Sequence, residues 1–183
     1  MTALLEIPEI RRHAFAVPVE AYHRLTEGMR TELLRGTILE KMSKSPLHIF
    51  IAHELRDILA KQIAPEFIVR LEGSMTTTDS EPEPDVTVVR GPLARYRHAH
   101  PGTAELVVEV AVTSLEIDRV KAGIYAEVDV KEYWIVCPEK MCVEVYRQPG
   151  PLGYAETTVV AAPAVLECAA LPGVRVDLAA LFV

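Results

Sequence analysis

The segment at residues 105–126, ELVVEVAVTSLEIDRVKAGIYA, constrains the fold more than any other part of the chain. Residues 106–112 form an apolar, largely β-branched run, which is typical of a strand buried on both faces of a sheet. After Thr113-Ser114 the apolar residues recur with helical spacing, so a helix follows. The apolar run at residues 132–137 completes a unit with the length of a βαβ crossover. The pattern predicts a mixed sheet with helices on its faces.

Two charged residues lie in this segment where burial is expected. Glu109 is in the middle of the apolar strand. Lys121 falls on the helical stripe that Ile117, Val120 and Ile124 define. Burying an ion pair costs several kcal/mol of desolvation, and such pairs stabilise a fold poorly compared with apolar replacements. A reason beyond stability is therefore expected for the two charges.

A third candidate is Asp85, the first residue of a strand predicted at residues 85–89, because Pro84 cannot lie inside a central strand. Carboxylates offered by adjacent strands, such as Asp85 and Glu109, are hard oxygen ligands that suit Mg²⁺ or Mn²⁺. A lysine beside them, here Lys121, can orient or help deprotonate a water and stabilise charge that develops on a phosphate. Together the three residues suit metal-assisted hydrolysis of a phosphodiester.

The spacing alone is equally compatible with a structural Glu109–Lys121 ion pair and with Asp85 as a turn residue. The two interpretations predict opposite effects on stability. If Asp85 and Glu109 face each other, like charges accumulate, and Asp85→Asn should stabilise the metal-free protein. If a carboxylate serves only to pair with Lys121, neutralising it should destabilise the protein.

Three further residues are weaker candidates for the site. Glu83 lies two residues before Asp85 and shares its face in an extended chain. His48 lies on the first turn of a helix that begins at Ser45-Pro46, where proline is tolerated. Glu40 lies on a short strand just before that helix. For each of them an accessory role in the site and an ordinary structural role remain open.

The loop after the strand at residues 85–89 has local basic character. Arg90, Arg95 and Arg97 are candidates for contacts with substrate phosphates, and a solvated loop is the alternative. The net charge of −7 argues against a broad nucleic-acid-binding surface. It remains compatible with a local basic groove.

Length and composition predict one domain, residues 17–183, preceded by an arm at residues 1–16. The domain contains further predicted elements: a helix at residues 19–27, a hairpin at 31–35 and 37–42, a helix from Ser45-Pro46 to Gln62, strands at 67–71 and 142–147, and short C-terminal strands. Thr113 and Glu116 have the spacing of a capping box at the start of the crossover helix. No apolar run reaches the roughly 18 residues of a membrane span. Without a secretory signal pattern, a cytoplasmic protein is expected.

Several segments occur in the order and spacing of a known family. They are ELLRGTILEKMSKSPLH (residues 32–48), SEPEPDVTVVRG (80–91), LVVEVAVTSLEIDRVKAGIYA (106–126), KEYWIVCPEKMCVEVYRQP (131–149) and LPGVRVDLAALF (171–182). In these segments the chain resembles the Uma-type family of proposed endonucleases, within the PD-(D/E)XK superfamily. The resemblance covers nearly everything after residue 17.

The resemblance implies an α/β fold: a restriction-endonuclease-like mixed β-sheet core flanked by helices, with an extra N-terminal hairpin and C-terminal strands. It implies Asp85 and Glu109 as metal-binding acids, Lys121 as the catalytic lysine, and Mg²⁺ or Mn²⁺ as the cofactor. The chain departs from the superfamily's E-x-K pattern because position 111 is Ala, so the lysine has moved from the strand to the helix. Asp129 stands where relatives usually have a C-capping Gly.

The expected activity is hydrolysis of phosphodiesters in DNA, and cleavage of both strands of a duplex favours a homodimer. One alternative is a catalytically inactive module on the same fold that binds nucleic acid or protein. The presence of Asp85, Glu109 and Lys121 argues against it. The other alternative is a nuclease acting on RNA or another phosphodiester, which the acidic net charge keeps open.

Overall fold

The computed structural model describes residues 16–182, so the predicted N-terminal arm lies outside the described residues except for Ala16. The helices and strands, in chain order, are α1 (Val19–Leu25), β1 (Thr31–Leu34), β2 (Thr37–Glu40), α2 (Pro46–Ala60), β3 (Phe67–Leu71), β4 (Val86–Arg90), β5 (Leu106–Val110), α3 (Leu115–Glu127), β6 (Glu132–Cys137), β7 (Cys142–Gly150), β8 (Gly153–Ala161), β9 (Val165–Glu167), β10 (Arg175–Asp177) and α4 (Leu178–Leu181). Within residues 16–182, no helix has the length and apolar character needed to cross a membrane.

The central sheet has six strands in the order β3-β4-β5-β6-β7-β8. Its neighbours are antiparallel except for β5 and β6, which run parallel with Glu109 opposite Ile135. Helix α3 connects this parallel pair, as the βαβ pattern predicts. Every residue of β5 and β6 is buried, which confirms that both strands are covered on two faces. The pairs β1–β2 and β9–β10 form separate two-stranded sheets.

The alternation of side chains along β5 decides which charged group meets which helix. Val108 and Val110 belong to the core cluster that α2 covers, together with Ile51 and Leu55 of that helix. Val107 belongs to the opposite cluster, under α3, with Tyr125, Tyr133 and Ile135. Because side chains alternate along a strand, Glu109 faces the α3 side with Val107. Lys121 on α3 is therefore within reach of Glu109.

The buried face of α3 differs from the predicted stripe. Ile117 and Val120 are 40 % and 38 % exposed. Lys121 and Ile124 are buried as predicted, and Tyr125 is buried beside them. The layer under α3 contains the carboxylate of Glu109 among apolar residues, and the helix turns Lys121 and Tyr125 towards it. An apolar stripe in the sequence cannot indicate that choice.

The start of α3 also differs from the prediction. The N-cap residue is Ser114, and its side chain makes no capping hydrogen bond. The Ser114 hydroxyl donates instead to Asp118 Oδ2 at 2.5 Å. The predicted Thr113–Glu116 capping box is wrong because the N-cap is Ser114, one residue later, and the Ser114 hydroxyl bonds a local carboxylate instead of a backbone N–H. At the other end of the helix, Asp129 adopts φ 60°, the left-handed conformation that a C-capping position requires.

One buried acid stabilises the sheet far from these residues. Glu132, the first residue of β6, is 0 % exposed. Its carboxylate accepts hydrogen bonds from Trp134 Nε1 at 2.8 Å, Arg147 Nη2 at 3.0 Å and the Ala170 backbone N–H at 3.0 Å. The acid thus links β6 to β7 and to the segment that follows β9.

We expect Glu132→Leu to lower the free energy of unfolding by roughly 3–5 kcal/mol, because it leaves an arginine, an indole N–H and a backbone N–H without their acceptor. Glu167→Leu is the matched control, since the side chain of Glu167 is 68 % exposed and pairs with Arg175 at the surface. Its effect should stay within about 0.5 kcal/mol. Urea denaturation followed by circular dichroism measures both. Equal losses in the two variants would contradict the role assigned to Glu132.

Candidate active site

A cleft of about 150 Å³ opens between the β2–α2 loop, the start of β4, the end of β5 and the first turns of α3. The residues around it are predominantly charged or polar. The charged side chains and the histidine among them are Glu32, Glu40, Lys41, Lys44, His48, Glu83, Asp85, Glu109, Asp118 and Lys121. The cleft therefore contains every acid and the lysine that the sequence predicts for the site, but none of the predicted arginines.

Asp85 lies immediately before β4 and is 3 % exposed. Its Oδ1 contacts Lys44 Nζ and His48 Nε2, each at 2.8 Å. Its Oδ2 accepts the backbone N–H of Val110 at 2.8 Å, which fixes the carboxylate beside Glu109. Burial alone raises the pKa of Asp85, but the contacts with His48 and Lys44 outweigh it and lower the pKa to about 2.

Glu109 and Lys121 form the buried ion pair that the sequence suggests. Glu109 Oε1 accepts hydrogen bonds from Lys121 Nζ at 3.1 Å and from the Tyr125 hydroxyl at 2.9 Å. Burial raises the pKa of Glu109 well above its usual value; Lys121 opposes this shift, while Asp85 and other nearby carboxylates add to it. Burial lowers the pKa of Lys121, but the surrounding carboxylates more than reverse this, so its pKa is raised.

Sequence reasoning missed two carboxylates that share Lys121. Its Nζ lies 3.0 Å from Glu32 Oε2 and 3.7 Å from Asp118 Oδ1. Asp118 precedes Lys121 by three residues, so helical periodicity could have placed both on one face. Glu32 lies on β1, and nothing in the local sequence indicates that this hairpin reaches α3.

Lys44 was also missed. It lies in the loop between β2 and α2, and no local pattern marks it as a partner of Asp85. Burial lowers the pKa of Lys44, whereas the carboxylates of Asp85 and Glu72 raise it, with a net increase. Lys44 is therefore a positively charged ammonium in contact with the carboxylate of Asp85.

The donor set suits a hard divalent cation. Four carboxylates, those of Glu32, Asp85, Glu109 and Asp118, exceed in charge the two ammonium groups that contact them. Among residues 16–182, no three acidic, histidine or cysteine side chains converge with the geometry of a metal site. The chemistry of the ligands thus fits Mg²⁺ or Mn²⁺, while their present arrangement is held by protein cations.

The accessory candidates differ in their contacts. His48 contacts Asp85 directly, at the first turn of α2, whose start is capped by Ser45. Glu83 lines the cleft and forms an ion pair with Lys41. Glu40 lines the cleft from the exposed end of β2. Of the three, His48 alone touches one of the predicted metal-binding acids.

The predicted phosphate-contacting arginines lie elsewhere. Arg90 is the last residue of β4, whereas Asp85 precedes its first residue, so the strand separates them by about 17 Å. Arg90 pairs with Glu105 at 3.4 Å and lies over the ring of Phe67. Arg95 belongs to an exposed 3₁₀ turn, Leu93–Tyr96. Neither these two nor Arg97 lines the cleft.

The contacts of Asp85 reverse the stability effect expected from two facing carboxylates. Its partners are Lys44 and His48, so neutralising Asp85 removes favourable contacts. Glu109 is the acid whose ionised form is disfavoured by burial. These contacts predict instead that Asp85→Asn destabilises the metal-free protein, and that the relief of like charge belongs to Glu109.

In EDTA at neutral pH, we expect Asp85→Asn to lower the melting temperature and Glu109→Gln to raise it. The folded pKa of Asp85 is depressed to about 2, so its contribution of about 2 kcal/mol is present above the unfolded pKa and lost as pH falls towards 2. The folded pKa of Glu109 is raised, so its ionisation costs stability as pH rises.

Melting curves from acid to neutral pH for wild type and both variants test these signs. The difference between wild type and Asp85→Asn should shrink on acidification, since wild type then loses the same charge. A less stable Glu109→Gln variant at neutral pH would show that Glu109 is held as a favourable ion pair.

Comparisons with known proteins agree with the fold. A search of curated proteins found no match. Among solved structures, a crystal structure from Anabaena variabilis, described as a putative nuclease of a family of unknown function, superposes with a TM-score of 0.75. It shares 18 % sequence identity, and the match covers 91 % of this chain and 97 % of that one. At this identity the likeness establishes the mixed α/β fold.

The family assignment comes from the sequence itself. The family model Uma2, described as "Putative restriction endonuclease", matches residues 19–179. That span includes the hairpin, the whole central sheet and every residue of the cleft. The resemblance seen in the motifs is thereby confirmed, and the chain belongs to the Uma2 family of putative restriction endonucleases.

Proposed function

We propose that this protein is a cytoplasmic, metal-dependent endonuclease that hydrolyses phosphodiester bonds in DNA and acts as a homodimer. Asp85 and Glu109 would hold Mg²⁺ or Mn²⁺, and Lys121 is the catalytic lysine. The observation that carries the proposal is the position of Lys121: its ammonium lies among carboxylates from β1, β5 and α3, at the base of a cleft that also contains Asp85. Such a cluster is costly to bury and needs a function.

The raised pKa of Lys121 limits what this residue can do. Burial lowers its pKa, but the carboxylates of Glu109, Glu32 and Asp118 raise it overall, so the side chain stays an ammonium at neutral pH. An ammonium donates hydrogen bonds and cannot accept a proton. Lys121 therefore serves to orient the attacking water and to stabilise negative charge on the phosphate.

The two acids contribute in different ways. The depressed pKa of Asp85 keeps this carboxylate ionised, and its backbone bond to Val110 fixes its direction. Glu109 uses Oε1 for Lys121 and Tyr125, which orients the side chain. When bound, the divalent ion would supply Lewis-acid stabilisation of the phosphate and a nucleophilic water at neutral pH. Tyr125 acts here as a positioning residue.

RNA or another phosphodiester is the second candidate substrate. The net charge is −7, and Arg90, Arg95 and Arg97 do not line the cleft, so within residues 16–182 these arginines provide no basic groove beside it for a long duplex. Lys41 and Lys44, which do line the cleft, are each paired with carboxylates. These features favour a flexible strand over a rigid duplex wherever the two compete.

The activity test uses supercoiled plasmid, linear duplex, single-stranded DNA and RNA, each with Mg²⁺, Mn²⁺ or EDTA. We expect cleavage with metal and none in EDTA. Lys121→Met should reduce the rate roughly 100- to 1,000-fold, as for removal of one preorganised donor. Lys61→Met is the matched control, because Lys61 lies in the exposed turn after α2.

Retained cleavage in Lys121→Met would refute the assigned role of the lysine. No cleavage of any substrate by wild type, with metal binding intact, would favour the inactive binding module. Preferential cleavage of RNA or single strands would select the second candidate.

Metal binding can be tested without any substrate. Because a ligand that binds only the folded state stabilises it, Mn²⁺ should raise the stability of wild type by about 2.7 kcal/mol at a hundredfold excess over its Kd. Asp85→Asn should lose most of this gain. The measurement is thermal unfolding of both proteins in EDTA and in Mn²⁺. A wild type indifferent to Mn²⁺ would refute the metal site.

A further inference from the structure

One contact in the cleft has no place in the proposed chemistry. Lys44 Nζ lies 2.8 Å from Asp85 Oδ1 and 3.2 Å from Glu72 Oε1, with only 13 % of the lysine side chain exposed. Asp85 is a proposed metal ligand, so the ammonium of Lys44 neutralises a carboxylate whose charge a metal ion would use. Oδ1 of Asp85 already contacts both Lys44 and His48, which together occupy its two lone pairs, so a divalent ion can bind this oxygen only if one of the two partners moves away.

Glu72 provides a second acceptor at a fixed position. It directly follows β3, and its backbone N–H donates to the carbonyl of Asp85 at 3.0 Å. Its φ is 51°, in the left-handed region, which costs a non-glycine residue about 1–2 kcal/mol and sets the direction of its side chain. Its side chain is 41 % exposed, so an ammonium that moves to Glu72 lies closer to solvent than one that stays on Asp85.

Lys44 and His48 both contact Asp85, and Lys44 also contacts a second carboxylate, that of Glu72. His48 belongs to α2, where the hydrogen bond from its backbone N–H to Ser45 Oγ fixes the first turn. Lys44 belongs to the irregular loop before that helix, and its ammonium is carried by a flexible four-carbon side chain. Its ammonium already touches the second acid, Glu72. Lys44 can therefore leave Asp85 without losing every ionic partner.

We propose that Lys44 is a positioning residue that neutralises Asp85 in the metal-free protein and moves to Glu72 when a divalent cation binds. The proposal rests on the proposed metal site and adds a regulation of its affinity. Part of the binding energy of the cation is used to displace the ammonium. Lys44 therefore weakens metal binding, and Glu72 strengthens it by accepting the displaced charge.

Isothermal titration of the intact protein with MnCl₂ tests the exchange directly. Lys44→Met should lower the Kd for Mn²⁺ about tenfold, which is within the usual range of coupling between two sites. Lys44→Arg keeps the competing charge and should remain near wild type. Glu72→Gln should raise the Kd severalfold. Lys61→Met removes the same charge from the far end of α2, about 20 Å away along the helix, and should leave the Kd unchanged.

The double variant Lys44→Met/Glu72→Gln separates exchange from simple attraction. If Glu72 acts only by accepting Lys44, Glu72→Gln has no effect once Lys44 is gone. If Glu72 merely attracts Mn²⁺ through space, it raises the Kd by the same factor in both backgrounds. The second result overturns the exchange, as does an unchanged or higher Kd in Lys44→Met.

The failures of the two proposals are distinguishable. A wild type that binds no Mn²⁺ refutes the metal site and the exchange together, whereas binding that is indifferent to Lys44 refutes the exchange alone. Lys44→Gln is the second variant if Lys44→Met does not fold, as judged by circular dichroism. It must show the same gain in affinity.

Discussion

The ammonium of Lys121 is the interaction on which the arrangement of this protein depends. It is 5 % exposed and lies within ion-pair distance of Glu32 on β1, Glu109 on β5 and Asp118 on α3. One buried charge thus links the N-terminal hairpin, the central sheet and the crossover helix. Each carboxylate would be unfavourable there without the lysine, and the lysine without them. The three elements must therefore dock together for any of these charges to be buried.

The cationic groups of the cleft are distributed unequally between Asp85 and Glu109, and the pKa values of these two acids are shifted in opposite directions. Asp85 contacts Lys44 and His48, which hold its pKa well below the usual range despite burial. Glu109 is dominated by burial, so its pKa is raised even beside Lys121. At neutral pH Asp85 is therefore ionised, whereas Glu109 takes up a proton more easily than a free carboxylate. Neighbouring acids with pKa values pushed apart are typical of functional sites.

Local periodicity predicted most of the fold, because the sequence pattern of a buried strand or an amphipathic helix depends only on nearby residues. Strands β3 and β6 have the predicted bounds, β4 is shifted by one residue, and α2 ends two residues before the predicted Gln62. The face of α3 was predicted only in part, since Ile117 and Val120 are substantially exposed. That orientation brings Lys121 and Tyr125 to Glu109 of β5, a contact with another element that the periodicity of the helix does not indicate.

For the site, the sequence by itself determined that Glu109 and Lys121 are buried and placed Asp85 at the start of its strand, because position within a strand or helix sets these features. Tertiary structure alone decided that Glu32 joins Lys121 and that Lys44, 41 positions away along the chain, contacts Asp85. It also placed Arg90 at the far end of β4. Such contacts depend on how a hairpin docks and how a loop runs, and neither leaves a periodic pattern in the sequence.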